Sequence, residues 1–569
     1  MKKIHFLAIS LIIILVAISY ANSLQNGFVW DDEFLVRDNS YIRSFSHVKD
    51  IFKNYLAYSS GNVNNFYRPV QDLSFMIDYF LWGYDPMGFH LTNVILHGLC
   101  AILLYILAVR LFKDNRVAFI TGALFGVHPI NTEAVTYVAG RADSLYLLFL
   151  LLAFICFLKA IKPLNGKKGI DPKFYVISLA SYALSILSKE IGLIFPLFIL
   201  VYHVSFIKDT PPDKKIRGLY LPYILIFGLY IMMRKTVLDF SAVSPSFLMA
   251  KFSLYERLLT SSKVIISYLR LLLLPFGLHM ERTIKIARSL FEPDAALALF
   301  MVAAIVAAAF RAHKRQARKF SYALFLFFVG LLPVSNIVPI NSFIAEHWLY
   351  LPAIGIFAIA AMGIVRLSDA RMIFNSKIAS KALALLITVG ILSFYTHLTI
   401  ERNRAWKDEV AFFKDTLRYV PNNARLHLNF GNTYFELGDI DKAIEEYKKA
   451  SELNPKDPLP YGNMGSAYIN LGKYKEGKEY IERALALNPN YPDALFNMGL
   501  IHEAMGSLEE AESFYKKGLA LRPYFLPYHM GIASLYQRMG RIDMARRHWQ
   551  EALKINPNAD KARQMLGRY

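Results

Sequence analysis

Three acids, Asp31, Asp32 and Glu33, follow the first apolar segment in the stretch NGFVWDDEFLVRDN at 26–39. A carboxylate fixed at the exit of a span can take a proton from a group attacking at the membrane surface. An isolated acid pair there usually only solvates a loop or caps a helix. Here further ionisable residues recur at the ends of apolar segments. FYRP brings Arg68, and HPINTEAVTYVAGRADSL brings His128, Glu133, Arg141 and Asp143. LSKEIG brings Lys189 and Glu190, YIMMRK ends in Arg234 and Lys235, and FIAEHWLYLP brings Glu346 and His347. Ionisable groups at membrane depth are costly and mark a cavity more often than an accident. Acids and bases gathered outside a bilayer suit a lipid phosphate-linked sugar, whose anionic leaving group lies at the surface. Cations would stabilise its developing charge. A carboxylate would deprotonate the attacking acceptor.

Such a cluster needs spans of alternating direction to carry it. The chain has 569 residues, 55% of them hydrophobic, and a mean hydropathy of +0.32, as expected of a polytopic membrane protein. Apolar runs recur near 4–22, 89–112, 117–133, 143–160, 174–188, 191–207, 218–236, 293–311, 320–339, 347–366 and 380–399. A twelfth, 259–276, reads as re-entrant or interfacial. The first run, preceded by Lys2 and Lys3, is long enough to be an uncleaved anchor rather than a signal peptide. The formal charge is +20, and residues 421–569 hold 20 Lys+Arg against 18 Asp+Glu, so the basic excess belongs to the membrane part. That excess reads as cytoplasmic loops, not as nucleic-acid binding. The basic stretches 159–173, 208–217 and 311–319 give about eleven spans, with the N-terminus inside and the C-terminus outside. Cys100 and Cys156 lie within apolar runs and offer no disulfide framework.

Beyond residue 400 the texture changes. Pro421, Pro455, Pro489, Pro523 and Pro557 are 34 residues apart. Gly431, Gly465 and Gly499 share one position of this period. Tyr434, Tyr468 and Tyr536 share a second with His502, and Ala450, Ala484 and Ala552 a third with Gly518. This is the tetratricopeptide signature, in which small residues let two helices approach and aromatics fill the gaps. Four repeats, with a leading half-unit at 404–421, predict a solenoid that binds protein. The expected fold is therefore all-α: a membrane domain over 1–400 and an extracytoplasmic repeat domain over 401–569.

Nucleotide-binding GxGxxG and Walker patterns are absent, as are HExxH and GxSxG. The motifs GFVWDDEFLVRDN, FYRPVQDLSF, FHLTNVILH, HPINTEAVTYVAGRADSL, LSKEIGL, AEHWLYLP and ERNRAWKDEVAFF occur in this order before the repeats. In motifs and order the chain resembles the transmembrane and tetratricopeptide-repeat-containing O-mannosyltransferases, which have the GT-C membrane fold. The resemblance implies a dolichyl- or polyprenyl-phosphate sugar donor, typically mannose, and a hydroxyl acceptor on a protein. It also implies an acidic catalytic motif in the first outer loop, here Asp31 and Asp32. Family members often carry arginine where this chain has His347, and an imidazole is charged only when protonated.

The reading is an integral-membrane glycosyltransferase acting with inversion. Asp31 or Asp32 is the base, and Arg141, Lys189 and Arg234 stabilise the phosphate. Glu133 positions the sugar, or holds a divalent cation if one is used. Arg68, His128, Glu190, Glu346 and His347 complete the expected donor site. In a bacterium the repeats would face the periplasm from the inner membrane, and in a eukaryote the lumen of the endoplasmic reticulum. The rivals are a GT-C enzyme with a lipid or polysaccharide acceptor and a non-catalytic membrane-anchored scaffold. His90, Asn93 and His97, on one helix face, read as core hydrogen-bonding groups rather than metal ligands.

Overall fold

The computed structural model describes residues 2–61, 64–161, 170–206, 218–236, 248–369 and 376–567. The expected cytoplasmic loop 208–217 and the middle of 159–173 lie outside these residues. No strand occurs among the described residues, and the chain divides into compact units Met1–Phe412 and Phe413–Tyr569.

Each expected span is a helix. Five are long and apolar enough to cross a membrane: Lys3–Gln25, Pro86–Phe112, Val138–Ala160, Pro293–Lys314 and Lys377–Trp406. Six are shorter: Asn115–Val127, Pro172–Ser188, Phe195–Phe206, Leu221–Thr236, Arg318–Leu331 and Ala353–Asp369. The twelve residues of Phe195–Phe206 rise only about 18 Å, short of the ~30 Å hydrocarbon core. Asn115–Val127 is almost wholly buried and packs against Ala353–Asp369, whereas Leu221–Thr236 exposes Leu221, Leu225 and Leu229. The 259–276 segment appears as the helix Leu254–Leu273, opened by a capping box in which Ser253 and Glu256 satisfy each other's backbone N–H.

Helix direction decides where the polar residues gather. Asn115–Val127 and Pro172–Ser188 end at His128 and Lys189, while Arg141–Ala160 and Ala353–Asp369 start at or just after Arg141 and His347. These connections share one end of the bundle. At the other end, Arg116 bridges Asp114 and Asp369. The helix from Arg116 to Val127 separates the two ends by about 20 Å.

The first and last helices of this unit are clasped. The Asn403 side-chain amide donates to the Ser19 carbonyl at 2.9 Å and to Asn22 Oδ1 at 2.8 Å, and Thr136 donates to Asn403 Oδ1 at 2.6 Å. Asn22 and Asn26 return bonds to the carbonyls of Ile400 and Asn403. Gly27 N–H donates to the Lys407 carbonyl, and Trp406 is buried with its ring stacked on Tyr137. Residues 401–412 thus pack within the membrane unit. His90, Asn93 and His97 bond Gly27, Val135 and Gly126 carbonyls, as core groups do.

The second unit is four helix pairs. They are Ala424–Glu436 with Ile440–Leu453, Pro458–Asn470 with Tyr474–Leu487, Pro492–Ala504 with Leu508–Leu521, and Leu526–Arg538 with Ile542–Ile555. Each first helix ends at a left-handed glycine: Gly438, Gly472, Gly506 and Gly540, with φ of 72–83°. The repeated Gly499 packs so close to the next helix that a Cβ there would lie 2.3 Å from the Tyr515 ring.

Candidate functional site

The two acids of the opening motif point to different surroundings. Trp30 has φ of +56°, a left-handed conformation that costs an L-residue about 1–2 kcal/mol. The turn it makes sends Asp32 inward. Asp32 is 0% exposed, and its carboxylate accepts from the N–H of Ala139 at 2.7 Å and of Val29 at 3.0 Å. Burial pushes its pKa well above the usual carboxylate range, and the two N–H groups offset this only in part. Asp32 therefore ties the first loop to the segment before Arg141. Asp31 is half-buried beside Tyr137, whose hydroxyl accepts from Asp31 N–H at 3.1 Å.

The rest of this loop has a small core of its own, including Phe28, Leu35, Ile42, Phe75 and Val138. Asp72 holds it down by accepting from Asn39 at 3.1 Å and from Ala57 N–H at 3.2 Å. Burial raises Asp72 to about 7.

Segment 128–143 links the remaining groups. It doubles back so tightly that a Cβ on Gly140 would lie 2.3 Å from the Glu133 carbonyl oxygen. Arg141 is fully buried. It pairs with Asp78 at 2.5 Å, donates to Asn93 Oδ1 and the Phe89 carbonyl, and lies over the Phe75 ring. Lys189 is bracketed by both oxygens of Asp143 at 2.7 and 2.8 Å. Glu133 accepts from the backbone N–H and from Nδ1 of His347, at 3.0 and 2.5 Å. Glu346 accepts from Arg282 and from His279 N–H, both at 2.7 Å. His128 is buried, bonded to the Leu272 carbonyl, with its ring against Phe357 and Tyr395.

The more open charges form another set. Arg68 donates twice to Glu190, Arg234 approaches the same carboxylate at 3.9 Å, and their side chains are 14–26% exposed. The His347 side chain is 26% exposed. Of the expected site residues, Asp31, Arg68, Glu190, Arg234 and His347 therefore keep some access. Asp32, His128, Glu133, Arg141, Lys189 and Glu346 lie inside, each with its partner. Arg141 has its guanidinium directed at protein groups on every side, so in this arrangement it holds the loops together. Glu133 has both oxygens engaged by His347. Among the described residues no group of three or more His, Cys, Asp or Glu converges as a metal site.

Sequence reasoning passed over Asp78, Tyr137 and Arg282. Asp78 and Arg282 lie 63 and 64 residues from their partners, a separation that leaves no local pattern. Tyr137 stood within a quoted motif, and its aromatic type before AGRAD was the available signal. Beside His128, an apolar cavity of about 360 Å³ is lined by Leu124, Leu272, Leu273, Phe357, Phe394 and Tyr395, among others.

Residues 75–234 match the family described as Dolichyl-phosphate-mannose-protein mannosyltransferase. Residues 431–472, 459–523 and 527–559 match tetratricopeptide-repeat families. The chain is 28% identical over 498 residues to Protein O-mannosyl-transferase TMTC3 of Mus musculus, covering 80% of this chain and 52% of that protein. It is 28% identical over 461 residues to Protein O-mannosyl-transferase F38B6.6 of Caenorhabditis elegans, covering 78% and 62%. To Protein O-mannosyl-transferase TMTC1 of Homo sapiens it is 27% identical over 489 residues, covering 77% and 54%. The chain spans about half the length of the first of these relatives. Its apolar helices and these likenesses make it a multi-pass membrane protein with a C-terminal tetratricopeptide array.

Proposed function

We propose, from this likeness to named O-mannosyl-transferases, that the chain is a membrane glycosyltransferase moving mannose from a polyprenyl- or dolichyl-phosphate donor to a hydroxyl of a protein acceptor. The observation that supports the reading is the half-buried Asp31 beside Tyr137, at the end of the bundle where Arg68, Arg234 and His347 also lie. Asp31 takes the acceptor's proton as the acceptor oxygen bonds the anomeric carbon. The bond from that carbon to the phosphate oxygen breaks on the opposite face, so configuration inverts. Arg68 and Arg234 face the departing phosphate. Their charge there stabilises the transition state more than the ground state. Asp32, Arg141 and Lys189 position the loops. The apolar cavity beside His128 suits a prenyl chain, which keeps the reacting phosphate at the interface. The repeats, periplasmic or lumenal, collect the acceptor, supplying proximity.

The test uses purified full-length protein in nanodiscs, radiolabelled polyprenyl-phosphate mannose and a Ser/Thr-rich peptide. Asp31→Asn keeps size and polarity but removes basicity, and turnover falls about 10²–10⁴-fold with the melting temperature unchanged. Asp32→Asn lowers the melting temperature, because one of its two N–H partners loses its acceptor. Wild-type turnover by Asp31→Asn would sink the assignment.

A further inference from the structure

At the end of the bundle away from the polar loops, four helix ends meet around an open cleft of about 280 Å³. Pro86–Phe112 and Ala353–Asp369 finish there, and Asn115–Val127 and Arg318–Leu331 begin there. Two helix C-termini and two N-termini leave little net dipole, so the side chains set the sign of the charge. Residues 110–119, 311–319 and 362–369 hold nine Lys+Arg against two Asp. Phe112, Val117 and Met362 give the cleft apolar surface, and Lys319, Arg366, Asp114 and Asp369 give it charge.

Both acids are already satisfied. Arg116 donates to the two oxygens of Asp369 at 2.7 and 2.9 Å, and to Asp114 at 3.0 and 3.3 Å. Asp114 also caps its helix by accepting from the N–H groups of Arg116 and Val117. The two cations, by contrast, keep donors to spare. Lys319 gives one of its three N–H groups to the Phe112 carbonyl, which leaves two. Among the described residues the guanidinium of Arg366 makes no hydrogen bond and no ion pair. A guanidinium and an ammonium side by side complement the oxygens of a phosphate. The apolar surface between them calls for a phosphate that carries hydrocarbon. Phe320, next to Lys319, is 38% exposed, as a ring facing lipid is, so that hydrocarbon has the bilayer to lie in. Basic pockets between helices at the ends of spans bind lipid headgroups in this way.

We propose that this cleft binds the headgroup of an anionic phospholipid, with Arg366 and Lys319 on its phosphate and the apolar lining against its glycerol. A lipid held there joins the ends of Asn115–Val127 and Ala353–Asp369. The first of these helices leads to His128, and the second follows His347. The bound headgroup thereby steadies, from about 20 Å away, two helices that carry the polar loops. The site shares no residue with the candidate catalytic end and stands whether or not that reading does.

The experiment titrates the full-length protein in detergent with dioleoyl-phosphatidylglycerol or dioleoyl-phosphatidylcholine and counts bound lipid by native mass spectrometry. Phosphatidylcholine presents the same phosphate beside a cation, which the cleft repels. One phosphatidylglycerol is expected to bind about tenfold more tightly than phosphatidylcholine. Arg366→Gln weakens that binding about tenfold or more, the worth of a hydrogen bond to a charged group. It leaves the melting temperature in lipid-free detergent unchanged, because the side chain bonds nothing within the described residues. Arg315→Gln removes the same charge from the same end but not from the cleft, and changes binding by less than about twofold. Glycerol phosphate in tenfold excess does not displace the lipid. Equal affinity for the two lipids, or equal losses in Arg366→Gln and Arg315→Gln, overturns the site, since diffuse attraction to a basic surface would then suffice. Displacement by glycerol phosphate overturns the assignment to a lipid.

Discussion

In the membrane unit the cations Arg141, Lys189 and Arg282 lie buried against Asp78, Asp143 and Glu346. In the repeats, Lys442, Lys554 and Arg563 lie on the surface, paired with acids three residues away. The repeats take their register from glycine, alanine and aromatic packing, and their charges chiefly keep them solvated. The membrane unit has long irregular loops at the polar end, and its charges select one arrangement of them. Removing one partner of a buried pair costs about 3–5 kcal/mol because the other charge stays behind, whereas an exposed pair contributes about 0–1.

The largest effect is expected at the border between the units. A chain ending after Phe412 keeps the clasp and Trp406, and is expected to elute as a folded monomer in detergent with nearly the full-length melting temperature. A chain ending after Glu401 loses Asn403 and Trp406. Loss of the buried indole alone costs about 3–5 kcal/mol, and the clasp bonds about 1 each. Equal melting of the two truncations would show that 401–412 belong functionally to the repeats.

Charge substitution gives the next effect. Arg141→Met is expected to destabilise by about 3–5 kcal/mol in denaturant titration, and Arg563→Met by less than about 1. Adding Asp78→Leu to Arg141→Met should restore much of the loss. If both single variants melt alike, burial does not distinguish the regions. In the repeats it is packing that should be sensitive: Gly499→Ala forces a methyl onto Tyr515 and should cost about 1–3 kcal/mol.

The smallest effect lies inside the repeats. His427 and Glu446 pair at 2.5 Å in the first repeat, and the equivalent positions of the fourth hold His529 and His548, 3.2 Å apart. Burial alone would lower His427, but the Glu446 carboxylate raises it above its ordinary 6.5. Its stabilisation is therefore full below pH 6.5 and is lost as pH rises through the raised value. His548 is lowered by burial and by the facing His529, so its stabilisation is lost as pH falls below about 6.5. Hydrogen exchange, corrected for intrinsic rates, should show the first repeat gaining protection and the fourth losing it between pH 7.5 and 5.5. Parallel changes would refute the assignment.

The parts that were legible in the sequence are those with a period or a long apolar run. The 34-residue spacing located every repeat helix, and the eleven apolar runs all became helices. The polar end was legible as a set of residue types, and alternating helix directions put His128, Arg141, Lys189 and His347 at one end of the bundle, each with its own partner. What stayed hidden was orientation. Asp31 and Asp32 are adjacent letters, and only the left-handed Trp30 separates the half-buried acid from the buried one. Partners such as Asp78 and Arg282 were hidden for another reason, since ion pairs between distant loops follow no sequence rule.

The clasp around Asn403 has a consequence for the order of synthesis. Its partners Ser19 and Asn22 are made about 380 residues earlier, and a chain grows at about 5–20 residues per second. The polar end of the first helix therefore waits about 20–80 s in the membrane for the residue that satisfies it. Throughout that interval the nascent unit is open along one seam, and a chaperone or insertase that shelters polar helix ends would have a defined window in which to act. The clasp closes only once residues 403–407 have been made, just before the ribosome reaches the repeats.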